Sequence, residues 1–87
     1  MKNWKERLTG QPETGLKPRT LVEIYGTERL LVEHHRGILG YGTECICIGA
    51  TFGMLVVEGQ DLRLCCMSPS QLVIRGELMS LRMEGGR

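Results

Sequence analysis

From Thr20 onward the apolar residues of this chain fall at every second position, and glycine interrupts them repeatedly. Alternation with period two is the signature of half-buried strands. Gly53–Leu64 shows it most clearly. Leu55, Val57, Leu62 and Leu64 fall on one face of a strand pair, and Gly59-Gln60 suits a two-residue connection. Glycine enters the positive-φ region that tight hairpin turns need. This reading sets Val57 opposite Leu62 and Leu55 opposite Leu64, and leaves Met54, Val56, Arg63 and Cys65 on an exposed outer face. It also sets Glu58 against Asp61, an unfavourable pair, so a wider corner at Gly59 is the alternative.

The same alternation recurs around the hairpin. Val22 and Ile24 precede Gly26-Thr27-Glu28, and Leu30 and Val32 follow it. A three-residue loop there places Ile24 opposite Leu30 and Val22 opposite Val32. Ile38–Tyr41 is a short strand after the polar corner His34-His35-Arg36-Gly37, and Ile46 and Ile48 share one face of the next. Ser68-Pro69-Ser70 is a turn. Leu72 and Ile74 lead to Gly76, which leaves no room for a hairpin and marks a bend. Leu78 and Leu81 are out of phase, which requires a bulge near Met79-Ser80.

Turn signals every ~8 to 12 residues, and about seven or eight short strands, indicate a small antiparallel β-sandwich, barrel or roll. The echo of apolar-x-apolar-x-Gly at Gly26, Gly59 and Gly76 keeps a stacked, solenoid-like roll as the alternative. One β-domain is expected over 18–83. Residues 84–87 form a frayed tail. Residues 1–17 form a frayed arm broken by Gly10, Pro12 and Gly15; the alternative is a short docked helix with Trp4 and Leu8 on one side.

The chain is short, at 87 residues with 41% apolar content, so the core is modest and self-association or a partner would add burial. Eleven basic and ten acidic residues give a net charge of +1, which argues against nucleic acid and against an anionic membrane surface. No secretory apolar core is visible, and no apolar run approaches the ~18 residues a membrane helix needs. The chain is expected to stay in the compartment where it is made.

Candidate chemistry is sparse. Cys45 and Cys47 point to one side of a strand, and Cys65 would join them if its strand were a neighbour with a matching face. Zinc sites favour C-x2-C knuckles on turns, whereas these are C-x-C and adjacent C-C in mid-strand. The plainer reading is four small, inert thiols. His34 and His35 diverge as strand neighbours and lack a metal-ligand context, so His35 is read as a hydrogen-bonding corner residue with Gly37 supplying backbone freedom. No phosphate loop, nucleophile elbow or stacking face accompanies them, and no cofactor or catalytic residue is assigned.

The segments Lys17–Thr20, Val32–Ile38, Gly53–Leu62 and Val73–Gly76, with Ser80, resemble the YabP/YqfC family of sporulation proteins, nearest its YqfC-like members. The most specific piece runs from Glu33 to Ile38, with Glu33, His35, Arg36 and Gly37 as motif residues. His34 departs from the family pattern, where asparagine is usual, and Cys45, Cys47 and Cys65 replace charged residues. The resemblance implies a protein of endospore formation in the cytoplasm of the mother cell. It also implies a membrane-associated partner resembling YqfD, and it carries no catalytic or cofactor residue.

Three functions follow in order of expectation. The first is a non-enzymatic domain that binds a protein partner or itself through a sheet edge or face. The second is a metal or redox protein using Cys45, Cys47 and Cys65. The third is a small barrel that binds nucleic acid.

Overall fold

The computed structural model describes residues 19–85. Six strands form one antiparallel sheet: β1 (Leu21–Tyr25), β2 (Arg29–Glu33), β3 (Ile38–Gly40), β4 (Cys45–Ala50), β5 (Gly53–Met67) and β6 (Gln71–Gly85). Their order is β1-β2-β6-β5-β4-β3. The class is all-β, with fewer and longer strands than the turn signals suggest, and the sheet does not close into a barrel. The expected N-terminal arm, frayed or helical, lies outside the described residues. Strand β6 runs through Glu84 to Gly85, which pair with Met54 and Gly53, so the ordered ladder extends past Met83.

Gly59-Gln60 is not a hairpin turn. Strand β5 continues through it for 15 residues beside the equally long β6. Val57 therefore faces Leu81, and Leu64 faces Ile74. Two bulges flank this point. Met79 is the extra residue between the rungs Glu58–Ser80 and Gly59–Leu78, as the phase slip requires, and Asp61-Leu62 oppose Gly76 alone. Bulges bend a strand and increase its local twist. Gly76 has φ +140° and Asp61 φ +52°, both outside the extended range of ordinary strand residues.

Each strand has an outer neighbour on one side of this bend only, β4 beside Gly53–Glu58 and β2 beside Gln71–Arg75. The backbone N–H groups of Gly59 and Leu62 donate to the carbonyls of Glu44 and Thr43, at 3.1 and 2.9 Å. Those of Gly76 and Leu78 donate to Glu28 and Thr27, at 3.3 and 2.9 Å. The loops before β2 and β4 thus satisfy the backbone where the ladder kinks.

Bending folds the sheet over itself. Leu30 and Val32 from β2 with Leu72 and Ile74 from β6 line one layer, and Ile46 and Ile48 from β4 with Leu55 and Val57 from β5 line the other. Leu62 fills the corner, and all nine side chains are fully buried in one cluster. Each contributes about 1.5–3 kcal/mol of burial. The β1–β2 hairpin keeps its expected register, with Val22 opposite Val32 and Ile24 opposite Leu30.

Candidate functional site

Two features gather polar chemistry: the corner after β2 and the outer face of the layer built from β1, β2, the start of β6 and the end of β5.

The corner is a hydrogen-bonded junction. His35 is buried. Its Nδ1 accepts from the Gly37 N–H at 2.9 Å and its Nε2 donates to the Ser68 carbonyl at 2.9 Å, so both ring nitrogens are used. This pattern defines the neutral tautomer that carries hydrogen on Nε2. Arg36 N–H donates to Gly49 O and Gly49 N–H to Gly37 O, both at 2.8 Å. The Thr20 hydroxyl donates to His34 O at 2.7 Å and accepts from Thr51 N–H at 2.9 Å. Gln71 Nε2 donates to the Glu33 carboxylate at 3.3 Å. The Glu33–Gly37 segment thereby ties β2 to the β4–β5 turn, the β5–β6 turn and the residues before β1. His34 has φ +59°, the left-handed conformation that asparagine tolerates best. A base needs a free, oriented nitrogen, and both of His35's are engaged by backbone partners.

The cysteines do not converge. Cys45 and Cys47 lie opposite Glu58 and Val56 on the outer face of the second layer. Cys65 is the unpaired residue of a bulge beyond the bend, between the rungs Leu64–Ile74 and Cys66–Val73. All four thiols are free, and no three His, Cys, Asp or Glu side chains are grouped to hold a metal among the described residues. Partial burial, then the neighbouring Cys45 thiol, push the Cys47 thiol up, which disfavours the thiolate that redox and metal chemistry require. The second of the three expected functions loses its geometry here.

The expected outer face of Met54, Val56, Arg63 and Cys65 is split, because it rested on the hairpin reading. Val56 is only 4% exposed. It lies between Cys47 and Arg82 in the second layer, whereas Arg63 lies opposite Arg75 in the first.

Arg63 belongs to a row that sequence reading did not find. Register places Tyr25 opposite Arg29, Arg29 opposite Arg75, and Arg75 opposite Arg63. All four residues are exposed. The Arg29 guanidinium stacks 4.6 Å from the Tyr25 ring centroid. The Tyr25 hydroxyl donates to the Glu23 carboxylate at 2.9 Å, which raises the phenol's pKa. Both ion pairs among the described residues involve Arg82, with Glu58 and Glu84, so none neutralises this row. Only strand register brings Arg29, Arg63 and Arg75 together; their sequence spacing carries no signal.

Residues 17–87 match the YabP family, and the matched span contains the whole described domain. The chain belongs to the YabP family. Comparison with curated proteins and with solved structures gave no match. Family membership fits a role in sporulation, and no helix among the described residues is long and apolar enough to cross a membrane.

Proposed function

We propose that this YabP-family protein is a non-enzymatic interaction domain of sporulation that recognises an acidic protein surface through the row Arg29–Arg75–Arg63. The row is the observation that carries the reading. Adjacent strands lie ~4.8 Å apart, so three guanidinium groups arise within about 10 Å. Like charges directly opposite one another destabilise a sheet. Among the described residues no carboxylate pairs with them. An acidic partner relieves that repulsion, and arginine's planar fork suits bidentate contact with carboxylates. The chain's net charge of +1 means that this row does not belong to a generally basic chain, which favours a local acidic surface over a nucleic-acid backbone. A YqfC-like role in the mother cell, beside a membrane-associated protein resembling YqfD, is part of the same proposal.

The test is capture from lysate of sporulating cells, with the bound protein identified by mass spectrometry. The wild-type chain is expected to retain a partner with an acidic surface, and retention is expected to fall as salt rises. The double variant Arg63→Glu/Arg75→Glu, shown folded by circular dichroism, is expected to lose it. Equal capture by wild type and variant would overturn the reading.

A further inference from the structure

We infer that two copies of this chain pair along the outer side of Leu81–Gly85, forming an antiparallel β6–β6 junction with its two-fold axis at Met83. This extends the interaction reading to a second surface that uses none of the arginine row.

Strand β6 is paired with β2 only over Gln71–Arg75. The loop carbonyls of Glu28 and Thr27 then take the N–H groups of Gly76 and Leu78. Beyond them, among the described residues, Ser80–Gly85 pairs with β5 alone. An unpaired edge is a template for another strand. The other edges are poorer templates. Strand β3 has three residues and a register shift. The free side of β5 is broken by the bulge at Cys65 and met by the Tyr41 hydroxyl, which accepts from Leu64 N–H at 3.4 Å. Strand β1 carries Glu23 at its centre, where a two-fold would oppose two carboxylates. From Ser80 to Gly85 the register with β5 is unbroken.

The sequence of this edge is self-complementary. Two identical antiparallel strands are related by a two-fold that passes one residue's level, and residue i then meets j as j meets i. With the axis at Met83, Arg82 meets the partner's Glu84 and Glu84 meets the partner's Arg82. Opposite charges in facing positions stabilise a strand pair. An axis at Arg82 opposes two arginines, and one at Glu84 opposes two carboxylates. The axis at Met83 also covers apolar surface. Met83 lies opposite fully buried Leu55, yet is 69% exposed because nothing described flanks β6 on that side. Met83 against the partner's Met83 would continue the core face from one copy into the next.

The experiment is light scattering after size exclusion, with native mass spectrometry, on the full chain. A dimer of twice the 9.8 kDa chain is expected, and a monomer would overturn the proposal. A monomer would also be the result if residues 1–18 or another protein's strand occupy this edge. Arg82→Glu and Glu84→Arg, singly, turn both cross-strand pairs repulsive and are expected to raise the dissociation constant about tenfold or more. The double variant Arg82→Glu/Glu84→Arg re-pairs them and is expected to restore the dimer. Folded single variants that dimerise like wild type, or a folded double variant that stays monomeric, would overturn the register. Met83→Cys supplies a check that does not depend on the charges. Facing strand residues have Cα atoms about 4.5–5.5 Å apart, within disulfide reach. Mild oxidation of this variant is expected to yield two copies of the same peptide joined by a disulfide at the substituted position, and its absence would count against the two-fold. Arg75→Glu is expected to leave the dimer intact, so loss of acidic-partner capture and loss of dimer are separable failures.

Discussion

A Cβ atom added at Gly59 would stand 2.0 Å from the carbonyl oxygen of Glu77 on the neighbouring strand. No such contact occurs between real atoms, and the obstacle is backbone, which cannot rotate away. Gly76 is similarly pinned, with Asp61 O 2.5 Å from its Cβ position and φ at +140°. The two glycines let β5 and β6 touch where both bend. Gly59→Ala and Gly76→Ala are each expected to lower stability by about 2 to 4 kcal/mol, from overpacking at both and from backbone strain as well at Gly76. Gly26 has φ +64° and open space around it, so Gly26→Ala is expected to cost only about 1 kcal/mol. Urea denaturation of the three variants checks this order. Equal losses would mean that the bend does not depend on close approach.

The bend also shows where sequence reading stops. The β1–β2 hairpin was legible because its turn and both strands lie within 13 residues, from Leu21 to Glu33, and one local pattern specifies all three. Leu55, Val57, Leu62 and Leu64 fit a hairpin just as well as a strand with a bulge. The carbonyls of Thr43 and Glu44, and the pairing with Leu78 and Leu81, decide between them, and these are distant contacts. At Gly76 the choice was local, because no residues were free to make a turn. The Met79 bulge was legible from the slip between Leu78 and Leu81. Arg29, Arg63 and Arg75 were invisible as a group, since their adjacency exists only once β6 has found both β2 and β5.

His35 joins the corner to the β5–β6 turn through both ring nitrogens. Removing the ring deletes a buried side chain and takes a partner from the part-buried Gly37 N–H and Ser68 carbonyl. A hydrogen bond contributes about 0.5–1.5 kcal/mol net, and water can reach these two groups. His35→Ala is therefore expected to destabilise by about 1 to 3 kcal/mol in urea or thermal unfolding. A loss below about 0.5 kcal/mol, the range of featureless surface substitutions, would show that the junction does not hold the fold.

His34 holds a left-handed backbone, φ +59°, while its carbonyl accepts from Thr20. Left-handed backbone costs ordinary L-residues about 1–2 kcal/mol, and asparagine less. His34→Asn is expected to raise stability by about 0.5 to 1 kcal/mol without altering the hydrogen bond, because the carbonyl is retained. A lower melting temperature for His34→Asn would mean that the histidine side chain makes a compensating contact.

The raised pKa of Cys47 has a defined sign. The fold favours the protonated thiol, chiefly through partial burial, then through Cys45 beside it. Its contribution to stability is complete below the unfolded thiol's pKa and is lost as pH rises through the higher folded value. Iodoacetamide attacks the thiolate, so native Cys47 is expected to reach half-maximal labelling at a higher pH than in the urea-unfolded chain. Peptide mass spectrometry across a pH series reads both. A native midpoint at or below the unfolded one would contradict the assignment.

Arg75 sits between Arg29 and Arg63 and so bears both like-charge contacts of the row. Arg75→Glu turns both into opposite-charge pairs at fixed geometry. Cross-strand pairs are worth roughly 0.2–1 kcal/mol each, and these are exposed, so a gain of about 0.5 to 1 kcal/mol is expected. The gain should shrink as salt screens the charges. Capture of the acidic partner should fall in the same variant. A residue kept for stability would not behave this way, whereas a residue kept for binding often trades stability for contact. Urea unfolding at low and high salt, run beside the capture assay, separates the two. An Arg75→Glu chain that is less stable at low salt would show that the row is already neutralised within the fold, and the arginines would then have no repulsion for a partner to relieve.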